Sequence, residues 1–480
     1  MSFIIPCPKK AEVLSEEKHN IPLLVSADPK WEKEKVVLTE AFAQIFEAQL
    51  GLGRGGIELV YDSDLAADAY VLDTQDTICV RASHREGLLY GMASLLQLIS
   101  IVSGTIRVQS MIVEDHPDKQ FRAFMLDLGH CTQPFSKLRK YIDLCFLYKV
   151  NHLHIHFADD DFYMLPSREF PALPAKGKHY TFEQIRQLNA YAASRGIHII
   201  PEFESPGHVT QLNKAYREVF GCHFQEDVGE FFRNPVGQIH RTDSIICAGS
   251  EQAFEGVKRI LKEIAEMFPD APYIHIGGDE ADHELWEKCS VCQAYMKEHN
   301  IASTKELYGE FIGRVADYVV SLGRIPMVWE GFPKFTNHYI PKQTVVIAWE
   351  SHYQLATELL ADGFKIINAT WQPLYLVSSI NQRWTPKEIL QWNVYNWQHW
   401  WRHSYATLNP INIQPTDQVL GANMCSWGLK YEGLIGRLME NLAAMSERVW
   451  TVERKRDYDT YVRAYANLYR IASRLVEDRE

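Results

Sequence analysis

Short apolar segments alternate with longer amphipathic segments over most of this chain. From about residue 118 onward, eight apolar runs of strand length occur, and helical spacing separates several of them. The predicted strands are 124–128, 153–157, 197–203, 273–276, 325–329, 345–349, 365–368 and 419–425. The predicted helices between them include 137–148, 182–195, 256–267 and 305–322. Eight strands alternating with helices favour a (β/α)8 TIM barrel over an open doubly wound sheet.

The part of the chain before the barrel shows a different, mixed pattern. Its predicted elements are two paired strands at 69–72 and 77–80 and two helices at 41–50 and 87–101. The polar stretch 114–117 interrupts this pattern before the first barrel strand. We therefore predict an α/β protein with a small α+β N-terminal domain at 1–116 and a catalytic barrel with a C-terminal helix at 117–480.

Composition and charge exclude several classes of protein. The formal net charge of −12 argues against a nucleic-acid-binding protein, whose binding surface is basic. No apolar run approaches the ~18 residues that a membrane span needs. The first residues lack the pattern of a signal peptide, so we expect a cytoplasmic protein. No glycine-rich phosphate loop follows a strand, so no nucleotide cofactor is expected.

Polar and aromatic side chains follow most of the predicted barrel strands. In barrels of this type, functional residues lie just past the C-terminal ends of the strands. Carboxylates, histidines and tryptophans occur at that edge on strand after strand, which solvated loop charges would not produce. They are Asp127, His130, His154, His156, Asp159, Asp160, Asp161, Glu202, Glu204, His208, His275, Asp279, Glu280, Trp329, Glu330, Trp349, Glu350 and Trp427.

The most specific element is the sequence His-Ile-Gly-Gly-Asp-Glu, from His275 to Glu280. The two glycines permit a sharp backbone turn, after which Asp279 and Glu280 project two adjacent carboxylates into one site. Two like charges held close together cannot both ionise freely, so one carboxyl tends to stay protonated near neutral pH. A protonated carboxyl beside an ionised one is what glycosidic cleavage requires. An Asp-Glu pair that only caps the next helix is the structural alternative.

These motifs resemble glycoside hydrolase family 20, the β-N-acetylhexosaminidases, over nearly the whole chain. The segment 154–160 (HIHFADD) is similar to the family's His-x-His-x-x-Asp-Asp motif, and 201–208 (PEFESPGH) is similar to its Pro-Glu-Ile-Asp-x-Pro-Gly-His motif. Residues 275–280 match its catalytic sequence and 121–127 its first barrel strand, while 70–72 and 87–98 resemble its small N-terminal domain.

The resemblance implies a retaining enzyme without a protein nucleophile, in which the substrate's acetamide oxygen forms an oxazolinium intermediate. Glu280 would then be the general acid and base. Asp279 would hold the acetamide N–H, while Asp159 and His208 would orient the acid. The residues that match the walls of the acetamide site are Trp329, Trp349, Trp427 and Tyr375.

Three positions depart from the family pattern, all at the sugar hydroxyls. His130 stands where the family usually has an arginine, Val377 where it has an aspartate, and Leu429 where it has a glutamate. Charged groups placed for an equatorial 4-hydroxyl are therefore missing. We hypothesise a preference for N-acetylgalactosamine, whose axial 4-hydroxyl leaves a broader apolar face that stacks well on indole rings.

Tryptophans are concentrated in the last third of the chain. Ten of the 12 lie between Trp329 and Trp450, and a globular core does not require that skew. The segment 384–401 supplies five of them for a platform on which a sugar could stack, and we predict that Trp392 and Trp397 contact the sugar. The alternative is that several of these indoles belong to the core.

Two other function classes remain open from the sequence. His154 and His156, with His208 and His275, resemble the ligands of metal-dependent amidohydrolase-type barrels. Against this class, the last predicted strand ends in Trp427 rather than in the aspartate that such barrels use. The third class is a carbohydrate-binding barrel without catalysis, which the intact carboxylate pair argues against.

The remaining features predict no cofactor and no metal. Nine cysteines, an odd number, indicate reduced thiols, and Cys289-x-x-Cys292 has no second pair or suitably spaced histidine after it. The charged segment 452–480 predicts an outer helix, with a homodimer surface as the alternative. The expected partners are β-linked N-acetylhexosaminide glycans or glycoconjugates, with neither nucleic acid nor membrane.

Overall fold

The N-terminal domain is a mixed sheet with two helices against it. The computed structural model describes residues 3–174, 178–378, 384–453 and 456–478. The N-terminal elements are β1 (Lys10–Ile21), β2 (Leu24–Ala27), α1 (Glu32–Phe46), β3 (Gly51–Leu52), β4 (Ile57–Tyr61), β5 (Tyr70–Asp73), β6 (Ile78–Ala82), α2 (Arg85–Leu98), β7 (Ser100–Val102) and β8 (Thr105–Asp115). The strands pair in the order β1-β8-β5-β6-β4-β2-β3, and β7 pairs with β8.

The predicted hairpin is confirmed as the antiparallel pair β5 and β6. The helix predicted at 41–50 begins earlier, at Glu32, and ends at Phe46. The helix predicted at 87–101 ends at Leu98, because the next three residues form β7. Periodicity located both helices, but it did not locate the residues at which they start and stop.

The second part of the chain contains thirteen strands and eleven helices among its described residues. The strands are β9 (Phe121–Asp127), β10 (His152–His156), β11 (His198–Glu202), β12 (Phe231–Arg233), β13 (Ile239–Arg241), β14 (Tyr273–His275), β15 (Ile325–Trp329), β16 (Val345–Ala348), β17 (Lys365–Asn368), β18 (Tyr375–Val377), β19 (Asn396–Trp397), β20 (Ile411–Asn412) and β21 (Val419–Trp427). The helices are α3 (Phe135–Leu147), α4 (Phe182–Ser194), α5 (Thr210–Phe220), α6 (Glu251–Met267), α7 (Ser290–His299), α8 (Thr304–Ser321), α9 (Ala356–Ala361), α10 (Trp371–Leu374), α11 (Pro386–Gln391), α12 (Tyr431–Trp450) and α13 (Tyr458–Val476).

Eight parallel strands close into a barrel, which confirms the predicted fold. Their order is β9-β10-β11-β14-β15-β16-β17-β21, and β21 pairs with β9 to complete the ring. Each overlaps one of the eight strands predicted from the sequence. Between β11 and β14, the chain inserts the antiparallel hairpin of β12 and β13.

Side chains of the barrel strands alternate between two cores. In β9, Phe124 and Leu126 belong to the core beneath the outer helices, whereas Ala123 and Met125 point into the barrel with Met327. Because these strands are buried on both faces, their sequences are nearly continuous runs of apolar residues. The interior core ends at the C-terminal edge in a layer of aromatic rings, which forms the floor of the site described below.

A buried polar cluster ties the N-terminal domain to the barrel. Asp115, at the end of β8, accepts hydrogen bonds from Tyr70 (2.8 Å) and from the Trp450 indole N–H (2.9 Å). The Lys149 ammonium lies 3.0 Å from the same carboxylate, and both side chains are fully buried. Removal of one partner from such a buried pair typically costs about 3–5 kcal/mol, so this cluster fixes the two domains relative to one another.

The C-terminal segment forms two helices rather than one. The helix α12 ends at Trp450, and α13 begins at Tyr458 and contacts both α1 and α3. The homodimer expected as an alternative for this segment stays a prediction. Of the helices that the structure describes, none combines the length and the apolar character that crossing a bilayer requires.

Candidate active site

A cavity of about 410 Å³ opens at the C-terminal edge of the barrel strands. It is lined by His130, Asp159, His208, Gln238, Asp279, Glu280, Trp329, Trp349, Glu350, Trp371, Tyr375, Val377, His399, Trp400, Trp401 and Trp427. Nine of the eleven residues predicted for the site are among them. The site lies where barrel architecture places catalytic groups, and it brings together residues from all eight strand ends.

The two glycines of the catalytic sequence are required by both backbone angle and space. Gly277 and Gly278 have φ angles of +74° and +95°, a region that side chains rarely adopt. A Cβ atom on Gly277 would lie 2.0 Å from the Glu204 carboxylate, and one on Gly278 would lie 2.3 Å from Val328. The chain can therefore turn upward directly after β14 only if both positions lack a side chain.

His208 lies between the carboxylates of the site. Its Nδ1 is 3.4 Å from Asp159 Oδ1, and its Nε2 is 3.6 Å from Glu280 Oε2 and 4.0 Å from Asp279 Oδ2. The Gln238 amide, from the loop of the inserted hairpin, donates a hydrogen bond of 2.8 Å to Glu280 Oε1. One cation and one amide thus hold the orientation of Glu280.

The surroundings of the two neighbouring carboxyls shift their pKa values in opposite directions. Burial raises the pKa of Asp279 to about 6, and the negative charge of Glu280 adds to this against the opposing effect of His208. Burial also opposes ionisation of Glu280, but the hydrogen bond and charge of His208 hold its pKa below its usual value. Without substrate, a proton bound to the pair below about pH 6 therefore resides on Asp279 rather than on Glu280.

The supporting groups carry alternating charges. Burial disfavours the charged form of Asp159, yet His208 and His156 hold the pKa of Asp159 well below its usual value. Burial alone would lower the pKa of His208, but Asp159 and Glu280 raise it well above its usual range. His156 Nε2–H also donates a hydrogen bond of 2.9 Å to Asp159 Oδ2. Asp159 is therefore ionised and His208 protonated, and their attraction holds both side chains in position.

Three histidines surround Glu202 underneath the cavity. His275 Nδ1 lies 2.9 Å from Glu202 Oε1, whereas His154 Nε2 (3.0 Å) and His156 Nδ1 (2.7 Å) lie near its Oε2. All three rings are fully buried and none lines the cavity. Each ring directs one nitrogen at Glu202 rather than at the space in which a substrate would lie, and the second nitrogen of His156 contacts Asp159. The amidohydrolase-type arrangement, in which the His-x-His pair opens to substrate, is therefore not what the geometry favours.

Three indoles and a phenol form an apolar box beside Asp279. Trp329 lies 6.1 Å from Trp349 and 6.2 Å from Trp427, measured between ring centroids, and Trp349 stacks parallel to Tyr375 at 6.2 Å. Two buried polar atoms in this box find no nitrogen or oxygen partner among the described residues. They are Asp279 Oδ1, an acceptor, and the Tyr375 hydroxyl, a donor.

Two predicted sugar contacts are wrong. Trp392 and Trp397 do not line the cavity; both belong to the core, and Trp397 is completely buried. The Trp392 indole donates to the Asn396 carbonyl (3.0 Å), and the Trp397 indole donates to the Ala348 carbonyl (2.9 Å). Each indole N–H is therefore satisfied inside the protein, and neither ring is available to a sugar.

Several cavity residues were not predicted as site residues. Trp400 and Trp401, from the same tryptophan-rich segment, line the cavity in place of the two core indoles, together with Trp371. Glu350, which the sequence placed at a strand end without a specific role, is buried there and accepts a hydrogen bond from the Trp371 indole (3.1 Å). No sequence pattern predicted Gln238, because it lies on an inserted hairpin rather than at the end of a barrel strand. Of the three departures from the family pattern, His130 and Val377 line the cavity, whereas Leu429 packs against the core.

Comparison with known families decides the assignment of this barrel. The model of the glycosyl hydrolase family 20 catalytic domain matches residues 120–453, and that of the family's domain 2 matches residues 1–116. The chain belongs to glycosyl hydrolase family 20. It is therefore a glycosidase, and the family expected from the sequence motifs is confirmed.

Individual family 20 relatives are distant in sequence and close in fold. A beta-hexosaminidase of Akkermansia muciniphila is 29% identical over 346 residues, which cover 67% of each chain. A beta-hexosaminidase of Vibrio furnissii is 30% identical over 359 residues, which cover 70% of this chain but 57% of the relative. The structure of an exo beta-N-acetylglucosaminidase from Vibrio harveyi in complex with N-acetylglucosamine superposes with a TM-score of 0.85 at 24% identity, covering 98% of this chain and 77% of that one.

The contact of Gly278 with Val328 can be tested against a matched glycine. Gly363 has a similar φ of +88°, but a Cβ there would meet nothing within 4 Å. Gly363→Ala should cost only the backbone strain, about 1–2 kcal/mol. Gly278→Ala should cost more than this and lower kcat by about 10²-fold, because the carboxylate pair is displaced. Urea unfolding and hydrolysis of an aryl glycoside measure the two effects; equal losses in both variants would contradict the steric argument.

Proposed function

We propose that this family 20 glycosidase is a retaining exo-β-N-acetylhexosaminidase that uses the acetamide group of its substrate as the nucleophile. The observation that carries the proposal is the chemistry of the box. It has apolar walls, and its acceptor on Asp279 and its donor on Tyr375 have no nitrogen or oxygen partner among the described residues. A 2-acetamido group has a methyl group, an N–H and a carbonyl, and it complements these three features. Unpaired buried polar atoms are costly, so a ligand that satisfies both gains specificity.

The box also explains why the acetamide would react. Walls formed by Trp329, Trp349 and Trp427 leave the acetamide little room except beneath the sugar ring, where its oxygen faces the anomeric carbon. A hydrogen bond from Tyr375 to that oxygen would hold it in line. The attack forms the oxygen–carbon bond of an oxazolinium ion and breaks the glycosidic bond, so no protein nucleophile is needed.

Substrate binding would move the proton of the carboxylate pair to the place where it is needed. In the free enzyme below about pH 6, the proton resides on Asp279. When the acetamide N–H donates to Asp279, it stabilises the ionised form of that carboxyl, and the proton becomes available to Glu280. Glu280 then protonates the leaving oxygen, and in the second step it removes a proton from the attacking water. Asp279 stabilises the positive charge that develops on the ring.

Within this function, we propose a preference for N-acetylgalactosamine over N-acetylglucosamine. His130 and Val377 line the cavity where the family usually offers an arginine and an aspartate to the sugar hydroxyls. The cavity is also lined by the indoles of Trp371, Trp400 and Trp401. An axial 4-hydroxyl leaves three C–H groups on one face of the sugar, and these groups stack on indole surfaces that an equatorial hydroxyl uses less well.

Hydrolysis of matched aryl glycosides tests this preference. We expect kcat/KM for 4-nitrophenyl N-acetyl-β-galactosaminide to exceed that for the glucosaminide by about tenfold, which corresponds to one hydrogen bond of ~1.4 kcal/mol. Val377→Asp places the carboxylate that the family usually has, and it should lower this ratio of kcat/KM values. Val377→Asn places a side chain with the shape of aspartate but no charge, so it should lower the ratio less. Equal kcat/KM values for the two glycosides, or a higher value for the glucosaminide, would contradict the preference. Either result would leave the hexosaminidase proposal unaffected.

The pKa values of the carboxylate pair predict a bell-shaped pH profile for kcat/KM. Because burial raises the pKa of Asp279 to about 6, the free enzyme keeps one proton on the pair below that pH and loses it above. We expect kcat/KM to fall as the pH rises through about 6, and to fall again below the usual range of a glutamate, where both carboxyls are protonated.

The variant Asp279→Asn separates this explanation from others, because it removes the group that titrates near pH 6 but retains Glu280. Its residual activity should show a basic limb at lower pH than the wild-type enzyme. A basic limb at the same pH in both proteins would show that another group controls the profile.

A further inference from the structure

Four cysteines far apart in the sequence converge at one point in the fold. Cys222 follows α5, Cys247 lies in the loop before α6, Cys289 precedes α7, and Cys292 lies in the first turn of α7. All four are buried, and their sulfur atoms all lie within 4.8 Å of one another. The Cys247 sulfur is 3.6 Å from that of Cys289 and 3.7 Å from that of Cys292.

These separations are those of a tetrahedral thiolate site. Zinc binds a thiolate sulfur at about 2.3 Å, so sulfurs at the corners of a tetrahedron around it lie about 3.8 Å apart. The backbone N–H of His223 points at the Cys289 sulfur over 3.3 Å, the kind of donor that accompanies metal thiolates. A cysteine pair spaced C-x-x-C at the start of a helix also recurs in zinc sites.

We propose that Cys222, Cys247, Cys289 and Cys292 bind one Zn²⁺ ion. Four sulfur ligands select zinc or iron among common metals, and four protein ligands leave no open position, so the ion would be structural and take no part in the reaction. The sequence alone indicates no metal at Cys289 and Cys292, for a physical reason. Their two partners are single cysteines in distant loops, which only the fold brings to the same point.

The position of this zinc site connects it to the catalytic acid. Cys222 and Cys247 bracket the inserted hairpin of β12 and β13, so the ion would clamp the base of the hairpin to the start of α7. At the other end of the hairpin, the Gln238 amide donates a hydrogen bond to Glu280 Oε1 (2.8 Å). His240 Nδ1 lies 2.9 Å from Asp282 Oδ2. We infer that the zinc holds the loop that orients Glu280. This second step rests on the proposed role of Glu280, whereas the metal site itself does not.

Metal analysis of the purified chain tests the site directly. Protein prepared without a metal-affinity tag and without added metal should contain one zinc per chain, released when a mercurial reagent blocks the thiols. Replacement by Co²⁺ should give the intense sulfur-to-cobalt absorption of a tetrahedral thiolate site. Iron in place of zinc would overturn the choice of metal. Chains that contain no metal and four freely alkylated thiols would overturn the site, as would disulfides between these cysteines.

Matched variants separate ligation from ordinary burial. Cys292→Ser should lose the zinc, and Cys222→His, which retains a ligand, should keep it. Cys145→Ser replaces an equally buried cysteine outside the cluster and should leave the zinc content at one per chain. Loss of zinc should lower kcat about as much as Gln238→Ala does, with a smaller change in KM. Zinc loss without any change in kcat would contradict the link to Glu280 but not the site.

Discussion

The site is organised by the interaction of a buried carboxylate pair with one cation. Asp279 and Glu280 are adjacent in the chain and both face His208, which lies 4.0 and 3.6 Å from them. Removing such charges from water is expensive unless they are paired, so the protein must supply opposite charges at fixed positions. The buried histidines and carboxylates around the pair supply these charges.

The compensating charges form a line that runs down from the cavity. Glu202 contacts His156 at 2.7 Å, His156 contacts Asp159 at 2.9 Å, and Asp159 contacts His208 at 3.4 Å. Burial lowers the pKa of an isolated histidine, but the adjacent carboxylates raise the pKa of His156 well above its usual value. Negative and positive groups therefore alternate from Glu202 to the catalytic pair. Loss of one member would leave its neighbours charged, buried and unpaired.

The sequence was informative where burial or backbone geometry leaves few choices. The barrel strands were recognised because both of their faces are buried, and the turn after β14 because only glycine fits at Gly277 and Gly278. It failed where the deciding contact is distant. Trp397 and Trp400 are neighbours in one aromatic segment, yet one is in the core and the other lines the cavity. Gln238 reaches Glu280 only through an inserted hairpin, whose path no local pattern reveals.

The central claim is that the site is built around an acetamide group that acts as the nucleophile. The most direct measurement compares aryl glycosides whose 2-acetamido methyl group carries zero, one, two or three fluorine atoms. Fluorine withdraws electron density from the acetamide oxygen while changing its size little. If that oxygen attacks the anomeric carbon, kcat/KM falls steadily with each fluorine added. Rates that do not depend on fluorine content would contradict the account, because the nucleophile would then lie elsewhere.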